Sequence, residues 1–221
     1  MNRSVVDSYS KYYSNQLLTK LWPTEFAVRA LLGRNYGFEN NGNYDTALDL
    51  GFGDGRNIGL LNSICKHTHG LEIDEKICES ARKNFPDSEF FVGFSNSIHK
   101  PDNTYDLVLA VHSIYYCSDY SIDAHFNEVL RVLKNNGRLV FSIPTHDSYL
   151  VHGSKQIDNE YVIVKKDPLG IRDESLIKFF SSSDKLLNYL KIFGYKNIKI
   201  GLSDNNWWGI RESYWIVSCY K

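Results

Sequence analysis

Hydrophobic and polar positions change rhythm along this chain, and the changes mark its elements. From residue 46 onward, short apolar runs alternate with amphipathic stretches. TALDL (46–50), THGLEI (68–73), SEFFVG (88–93), YDLVLAVH (105–112) and RLVFSIP (138–144) read as strands. The apolar run at 105–112 is what a strand buried on both faces requires. Between the strands, GRNIGLLNSICKH (55–67), DEKICESARKNF (74–85) and SIDAHFNEVLRVLK (121–134) carry helical spacing. Pro86 stops the second of these helices, and Asn136-Gly137 closes the third. A βαβ series of this kind predicts an α/β fold, a mostly parallel sheet with helices on both faces.

The two ends break the rhythm. Asp7 to Lys20 is polar, rich in tyrosine and reads as helical. Trp22-Pro23 interrupts it, Pro23 suits the first turn of a new helix, and TEFAVRALLG gives that helix an apolar stripe ending at Gly33. Residues 34–44 form a turn-rich joint. Near the C-terminus, SSDKLLNYLKIFG (182–194) is a helix stopped by Gly194. KNIKIGL (196–202) and ESYWIVSCY (212–220) are two strands joined by a turn-rich stretch, SDNNWWGIR, and predict an antiparallel hairpin closing the sheet. Between Pro144 and Ser181 lies an insertion with one clear strand, EYVIVKK (160–166). The expected organisation is an N-terminal helical cap, 1–44, and a main domain, 45–221, carrying the insertion 145–181.

Composition narrows the function classes. The 221 residues suit one domain with a sizeable core. Twenty-five basic and 26 acidic side chains give a net charge of −1, so no basic excess favours duplex nucleic acid as a partner. The N-terminal MNRSVVDSYSKYYSNQ has no apolar signal-peptide core, and the longest apolar runs are too short to span a bilayer. Cys65, Cys78, Cys117 and Cys219 form no Cys-x-x-Cys pair and read as reduced thiols of a cytoplasmic protein. His67 and His69 are two apart, with no acidic or thiol partners clustered beside them, so no built-in metal site is expected.

The central chemical signal is Ala47-Leu48-Asp49-Leu50-Gly51-Phe52-Gly53-Asp54-Gly55, where a strand ends and a helix begins. The glycines let the backbone turn tightly and approach a ligand closely. The helix N-terminus offers unpaired N–H groups to an anion. A dinucleotide fingerprint needs Gly-x-Gly-x-x-Gly. Counting from Gly51 the last position is Arg56, and from Gly53 it is Ile58, so neither fits. The second signal is Gly70-Leu71-Glu72-Ile73-Asp74 at the end of the next strand. An acidic residue about 20 positions after the glycine turn suits the hydroxyls of a ribose. Glu72 is favoured, with Asp74 the alternative that better caps the following helix.

On these motifs and the terminal hairpin, residues 45–221 resemble the class I S-adenosylmethionine (SAM)-dependent methyltransferases. The resemblance implies a Rossmann-like seven-stranded sheet, SAM as cofactor, and a methyl acceptor at the strand ends. It places Asp49 near the SAM amino group, Gly51 and Gly53 against methionine and ribose, and Glu72 with neighbouring Ile73 at the ribose. Many members carry an aspartate after the third strand for the adenine amino group. Here the place reads Gly93-Phe94-Ser95-Asn96. Phe94 either packs against adenine or belongs to the core, and Ser95 or Asn96 is the alternative polar contact. The strand-four end, Leu109-Ala110-Val111-His112-Ser113-Ile114-Tyr115-Tyr116, faces the methyl group in this fold. It contains neither Asp/Asn-Pro-Pro-Tyr nor a Pro-Cys nucleophile, which argues against two nucleobase-modifying classes.

An acceptor hydroxyl or ammonium needs a base, and His112 and then His146 are the candidates. The insertion is positioned to cover the acceptor and offers His146, Asp147, Tyr149, His152, Tyr161 and Arg172. Trp207 and Trp208 are expected at the rim of the site. Tyr12, Tyr13, Trp22 and Arg29 are candidates for closing over SAM, with Arg29 suited to the methionine carboxylate. The leading reading is methylation of an oxygen or nitrogen of a small molecule, a saccharide or metabolite. A protein or RNA methyltransferase and a non-enzymatic SAM-binding module are the alternatives.

Overall fold

The computed structural model describes residues 7, 9, 11–13, 21–33, 44–117, 122–168 and 170–221. Most of the expected joint at 34–44, and part of the stretch read as helical from Asp7 to Lys20, lie outside the described residues.

Seven strands form the main sheet: β1 (Tyr44–Leu50), β2 (Cys65–Glu72), β3 (Glu89–Val92), β4 (Tyr105–Ala110), β6 (Leu133–Pro144), β10 (Lys196–Trp207) and β11 (Ile210–Tyr220). Their order is β10-β11-β6-β4-β1-β2-β3. The pairs β1–β2, β1–β4, β2–β3 and β4–β6 are parallel, and β11 runs antiparallel to both β6 and β10. The predicted sheet and closing hairpin are therefore both present.

Helices cover both faces because the buried strands are apolar on both. On one face α1 (Glu25–Leu32) lays Ala27, Ala30 and Leu31 against Ala47, Leu107, Leu109 and Val140. On the other, α4 (Asp123–Val132) and α5 (Ser183–Ile192) bury Phe126, Val129, Leu186 and Leu190 against Leu48, Val108 and Phe141. Arg138, almost wholly buried in β6, ties α1 to the sheet. It donates to Ser218 Oγ (2.9 Å), Tyr44 Oη (3.0 Å) and the Ala30 carbonyl (2.9 Å).

Several boundaries differ from the sequence expectations. The helix after the glycine turn, α2 (Ile58–Ile64), starts three residues late, because Gly51, Gly53 and Gly55 all hold positive φ. Pro23 precedes the N-cap residue Thr24 and so sits outside α1. Asp74 caps α3 (Glu75–Asn84) as expected, accepting from the Lys76 and Ile77 N–H groups. After α4 the positive φ falls on Asn136 and not Gly137. A Cβ at Gly137 would stand 2.8 Å from the Lys134 carbonyl oxygen. The stretch SDNNWWGIR is mostly strand: only Trp208 and Gly209, with φ of 51° and 91°, make the turn. Its polar residues misled because this part of the ribbon is largely exposed, so no alternation is imposed on it.

The insertion holds three short strands where one was expected. They are β7 (Lys155–Gln156), β8 (Tyr161–Ile163) and β9 (Leu176–Lys178). With β5 (Tyr116–Cys117) they form a second sheet in the order β5-β9-β8-β7. Runs of two or three residues are too short to leave a readable period.

Candidate active site

The floor of the site is the β1–α2 turn and the end of β2. Gly51, at φ 71°, donates its N–H to the Leu71 carbonyl (2.8 Å). A Cβ there would stand 2.6 Å from Ser113 Cβ, and Ser113 Oγ donates to the Leu50 carbonyl. Glu72 is buried and satisfied mainly by backbone. Its Oε2 accepts from the Gly53 N–H (3.0 Å) and the Tyr9 hydroxyl (3.1 Å), and its Oε1 accepts from the Ile73 N–H (2.8 Å). Burial raises the Glu72 carboxyl above the usual carboxylate range, and these hydrogen bonds oppose the rise. Asp49, also buried, is raised by desolvation and then by the charges of Glu72 and Asp54. Its Oδ2 has no hydrogen-bond partner among the described residues.

A cavity opens above this floor. Gly51, Glu72, Ile73, Phe94, Ser95 and His112, all singled out in the sequence, line it together. Phe94 is exposed, which separates it from the core. Ser95 Oγ lies 2.5 Å from His125 Nδ1, so α4 fixes that serine. His112 occupies the left-handed region, φ 52°, just past β4. Its N–H donates to Ser142 Oγ (2.9 Å), and its Nδ1 lies 3.2 Å from the same oxygen. Burial, followed by the positive charges of Arg172 and Arg56, pushes the imidazole down to about 3. It is therefore neutral at physiological pH and takes a proton reluctantly.

Other expected site residues lie elsewhere. Asp49 and Gly53 stand behind the lining, Gly53 acting through its bond to Glu72. Val111 packs into the core under α1 and does not line the cavity. His146 lies outside the lining, its side chain 66% exposed and 3.7 Å from Asp147. Arg29 pairs with Glu25 one helical turn earlier (2.7 Å) and lines a different groove, between α1 and the β10–β11 ribbon. Trp207 lines that same groove, and Trp208 stands at the ribbon tip, 96% exposed. The groove reaches the Glu72 cavity at His112, which lines both.

Ser113 and Tyr116, from the strand-four end expected to face the methyl group, also line the cavity, as do Tyr9, His125, Ile171 and Ser175, which the sequence did not single out. Tyr13, a named candidate, packs on the glycine turn: a Cβ at Gly53 would stand 3.0 Å from its ring. Arg172 and Ile171 bring the insertion into the lining.

Among the described residues, no group of three or more His, Cys, Asp or Glu side chains is arranged to hold a metal ion. No helix among them is long and apolar enough to cross a membrane. Burial pushes the Cys65 and Cys78 thiols up to about 12.

Residues 48–141 match a family model described as a methyltransferase domain. The match runs from the glycine turn through the β4 end to β6. A candidate methyltransferase of Bacillus subtilis, YrhH, is 29% identical over 140 residues, 61% of this chain and 72% of that one. The demethylmenaquinone methyltransferase of Thermotoga maritima is 33% identical over 100 residues, 44% of this chain and only 43% of its own length. The solved structure of a SAM-dependent methyltransferase from Methanosarcina mazei superposes with a TM-score of 0.68 at 16% identity, covering 91% of this chain and 99% of that one. With its glycine turn, its Glu72 and its strand order, the chain carries a methyltransferase domain over residues 48–141 on the fold of the class I SAM-dependent methyltransferases.

Proposed function

We propose that this chain transfers the SAM methyl group to an oxygen or nitrogen of a small molecule, with the acceptor bound between His112 and the insertion. The observation that carries this reading is the lining itself. Residues of the cofactor floor, Gly51 and Glu72, share one cavity with Ile171, Arg172 and Ser175 of the insertion. A cavity roofed in this way suits a compact acceptor better than a macromolecular surface. The near-neutral charge balance agrees, since it favours no polyanion.

The residues present fit SAM. Asp49 Oδ2 is a buried acceptor still without a partner among the described residues, suited to the methionine ammonium. Glu72 can accept from a ribose diol where Tyr9 now donates. Gly51 offers a surface with no Cβ. Ile73 and Phe94 are apolar faces for the adenosine, and Ser95 is a polar neighbour held by His125. We assign residues 1–44 the role of a cap, because Tyr9 and Tyr13 lie against the glycine turn and Glu72.

SAM supplies an electrophilic methyl carbon on a sulfonium. The chain's task is to align the acceptor lone pair with that carbon in a site sheltered from water. His112, neutral and anchored by Ser142, orients the acceptor by hydrogen bonding more readily than it removes a proton. Acceptors that are already anionic, or whose proton is easily lost, suit such a site. His146 is not brought to the cavity and is not assigned a catalytic role.

The test is transfer of label from radiolabelled SAM into the low-mass, protein and RNA fractions of source cells, beside calorimetry with S-adenosylhomocysteine. Label in the low-mass fraction is the expected result. Label confined to protein or RNA would overturn the small-molecule acceptor. Binding without transfer to any fraction would point to a non-enzymatic module.

A further inference from the structure

Arg172 is the only Lys or Arg among the described residues lining the Glu72 cavity. Its guanidinium is nearly buried, with a side chain 15% exposed. Nε donates to the Tyr116 hydroxyl at 3.0 Å, while Nη1 reaches the two Asp167 oxygens only at 3.4 Å. Asp167 is occupied elsewhere: its Oδ2 accepts the Ile171 and Arg172 N–H groups at 3.0 Å each, which holds the loop in shape. Among the described residues, no acceptor meets Nη2.

A buried guanidinium is costly unless its donors are met. An arginine serving only to brace this loop would close a bidentate pair with Asp167 at about 2.7–2.9 Å. Here the carboxylate is spent on backbone, and the planar fork stays partly unmet beside the cavity. Tyr116 holds it through a hydroxyl, and Tyr13 and Tyr149 both feel the Arg172 charge, so polar phenol groups surround the cation. His112 is held neutral and supplies no competing cation.

We propose that Arg172, braced by Tyr116, anchors an oxyanion of the methyl acceptor, a carboxylate or a phosphoryl group, so that the substrates are acidic metabolites. This rests on the small-molecule reading above. The rival source of the same chemistry is the carboxylate of the cofactor's own methionine, and the experiment separates the two.

The low-mass extract of source cells is split by anion exchange, and each fraction is assayed with radiolabelled SAM. Binding of S-adenosylhomocysteine is measured in parallel on the full chain and on Arg172→Gln and Arg172→Lys. The expected result is label transfer in the anion-retained fraction. Arg172→Gln should raise KM for that acceptor by ~100-fold, the scale of a lost charge-assisted pair, with S-adenosylhomocysteine affinity within about threefold. Arg172→Lys should recover part of the loss, since it keeps the charge but not the fork, and its recovery excludes misfolding. Transfer only in the unretained fraction would overturn the inference and leave the small-molecule reading standing. Equal weakening of S-adenosylhomocysteine by both variants would assign Arg172 to the cofactor and overturn it too. Transfer in no low-mass fraction, with S-adenosylhomocysteine still bound, would overturn the small-molecule reading and this inference with it.

Discussion

The floor and the roof of the cavity are built by different means. The floor uses backbone: Gly51 and Gly53 present N–H groups at positive φ, and Glu72 is fixed by two of its three hydrogen bonds to main-chain donors. The roof uses side chains from distant parts of the chain. Arg172 leans on Tyr116 of β5, and β5 joins the insertion sheet through β9. A floor made of backbone tolerates little change and holds one kind of ligand. A roof made of side chains can be rewritten residue by residue, which is how one fold serves many acceptors.

This contrast can be broken most directly at Glu72. Glu72→Ala removes the acceptor for a ribose diol and leaves the Gly53 and Ile73 N–H groups without it. SAM affinity should fall by ~100-fold or more in calorimetry, with charged hydrogen bonds at roughly 1.5–3 kcal/mol each. An affinity within threefold of the parent would remove Glu72 from the cofactor site.

Gly51→Ala comes next. It forces a Cβ into the left-handed region and to 2.6 Å from Ser113 Cβ. We expect ~2 kcal/mol lost from unfolding stability and weakened SAM binding. Adding Ser113→Gly should restore only the share due to the collision. Full restoration would mean that backbone strain is not what requires glycine there.

Asp49 sharpens the electrostatic side. Its pKa is raised in the folded chain by burial, Glu72 and Asp54. Between the unfolded value, about 4, and the higher folded value, the native state binds more protons. Stability without SAM should therefore fall as pH rises through that window. Asp49→Asn should flatten the slope in denaturant midpoints while weakening SAM. A slope identical in both proteins would show that the buried carboxylate is not a source of strain.

His112 runs the other way. Its folded pKa is depressed to about 3, so its share of stability is present above the unfolded value, about 6.5, and is lost as pH falls toward 3. The pH dependence of kcat should show no inflection near 6.5 from this residue. An inflection there that disappears in His112→Gln would make it the general base after all. The smallest effect belongs to His146→Ala, expected to keep kcat/KM within about twofold, because a surface histidine beside Asp147 contributes little. A loss of tenfold or more would bring the segment after β6 into the chemistry.

Most of the floor was legible in the sequence. The spacing of Gly51, Gly53 and Gly55 after an apolar strand, and an acid at the next strand end, fix positions through local backbone geometry. Phe94, Ser95 and His112 were also found, because each follows a strand whose C-terminal end the topology directs to one edge. Arg29 and His146 misled for a shared reason. Both are reactive side chains near the site in sequence, yet Arg29 is satisfied by Glu25 on its own helix and His146 points toward Asp147. Tyr9 and His125 gave no sign, since their roles exist only through partners 63 and 30 residues away, Glu72 and Ser95.

The sequence by itself determined the sheet, the glycine turn and the methyltransferase domain, because strand period, helix caps and positive-φ glycines are local properties of the chain. Only the tertiary structure decided the state of the side chains around that turn: the buried Asp49 oxygen behind the lining, and the neutral His112 and the Arg172 fork in it. Burial and charge depend on neighbours brought from far along the chain, and those neighbours set what a carboxylate, an imidazole or a guanidinium can do.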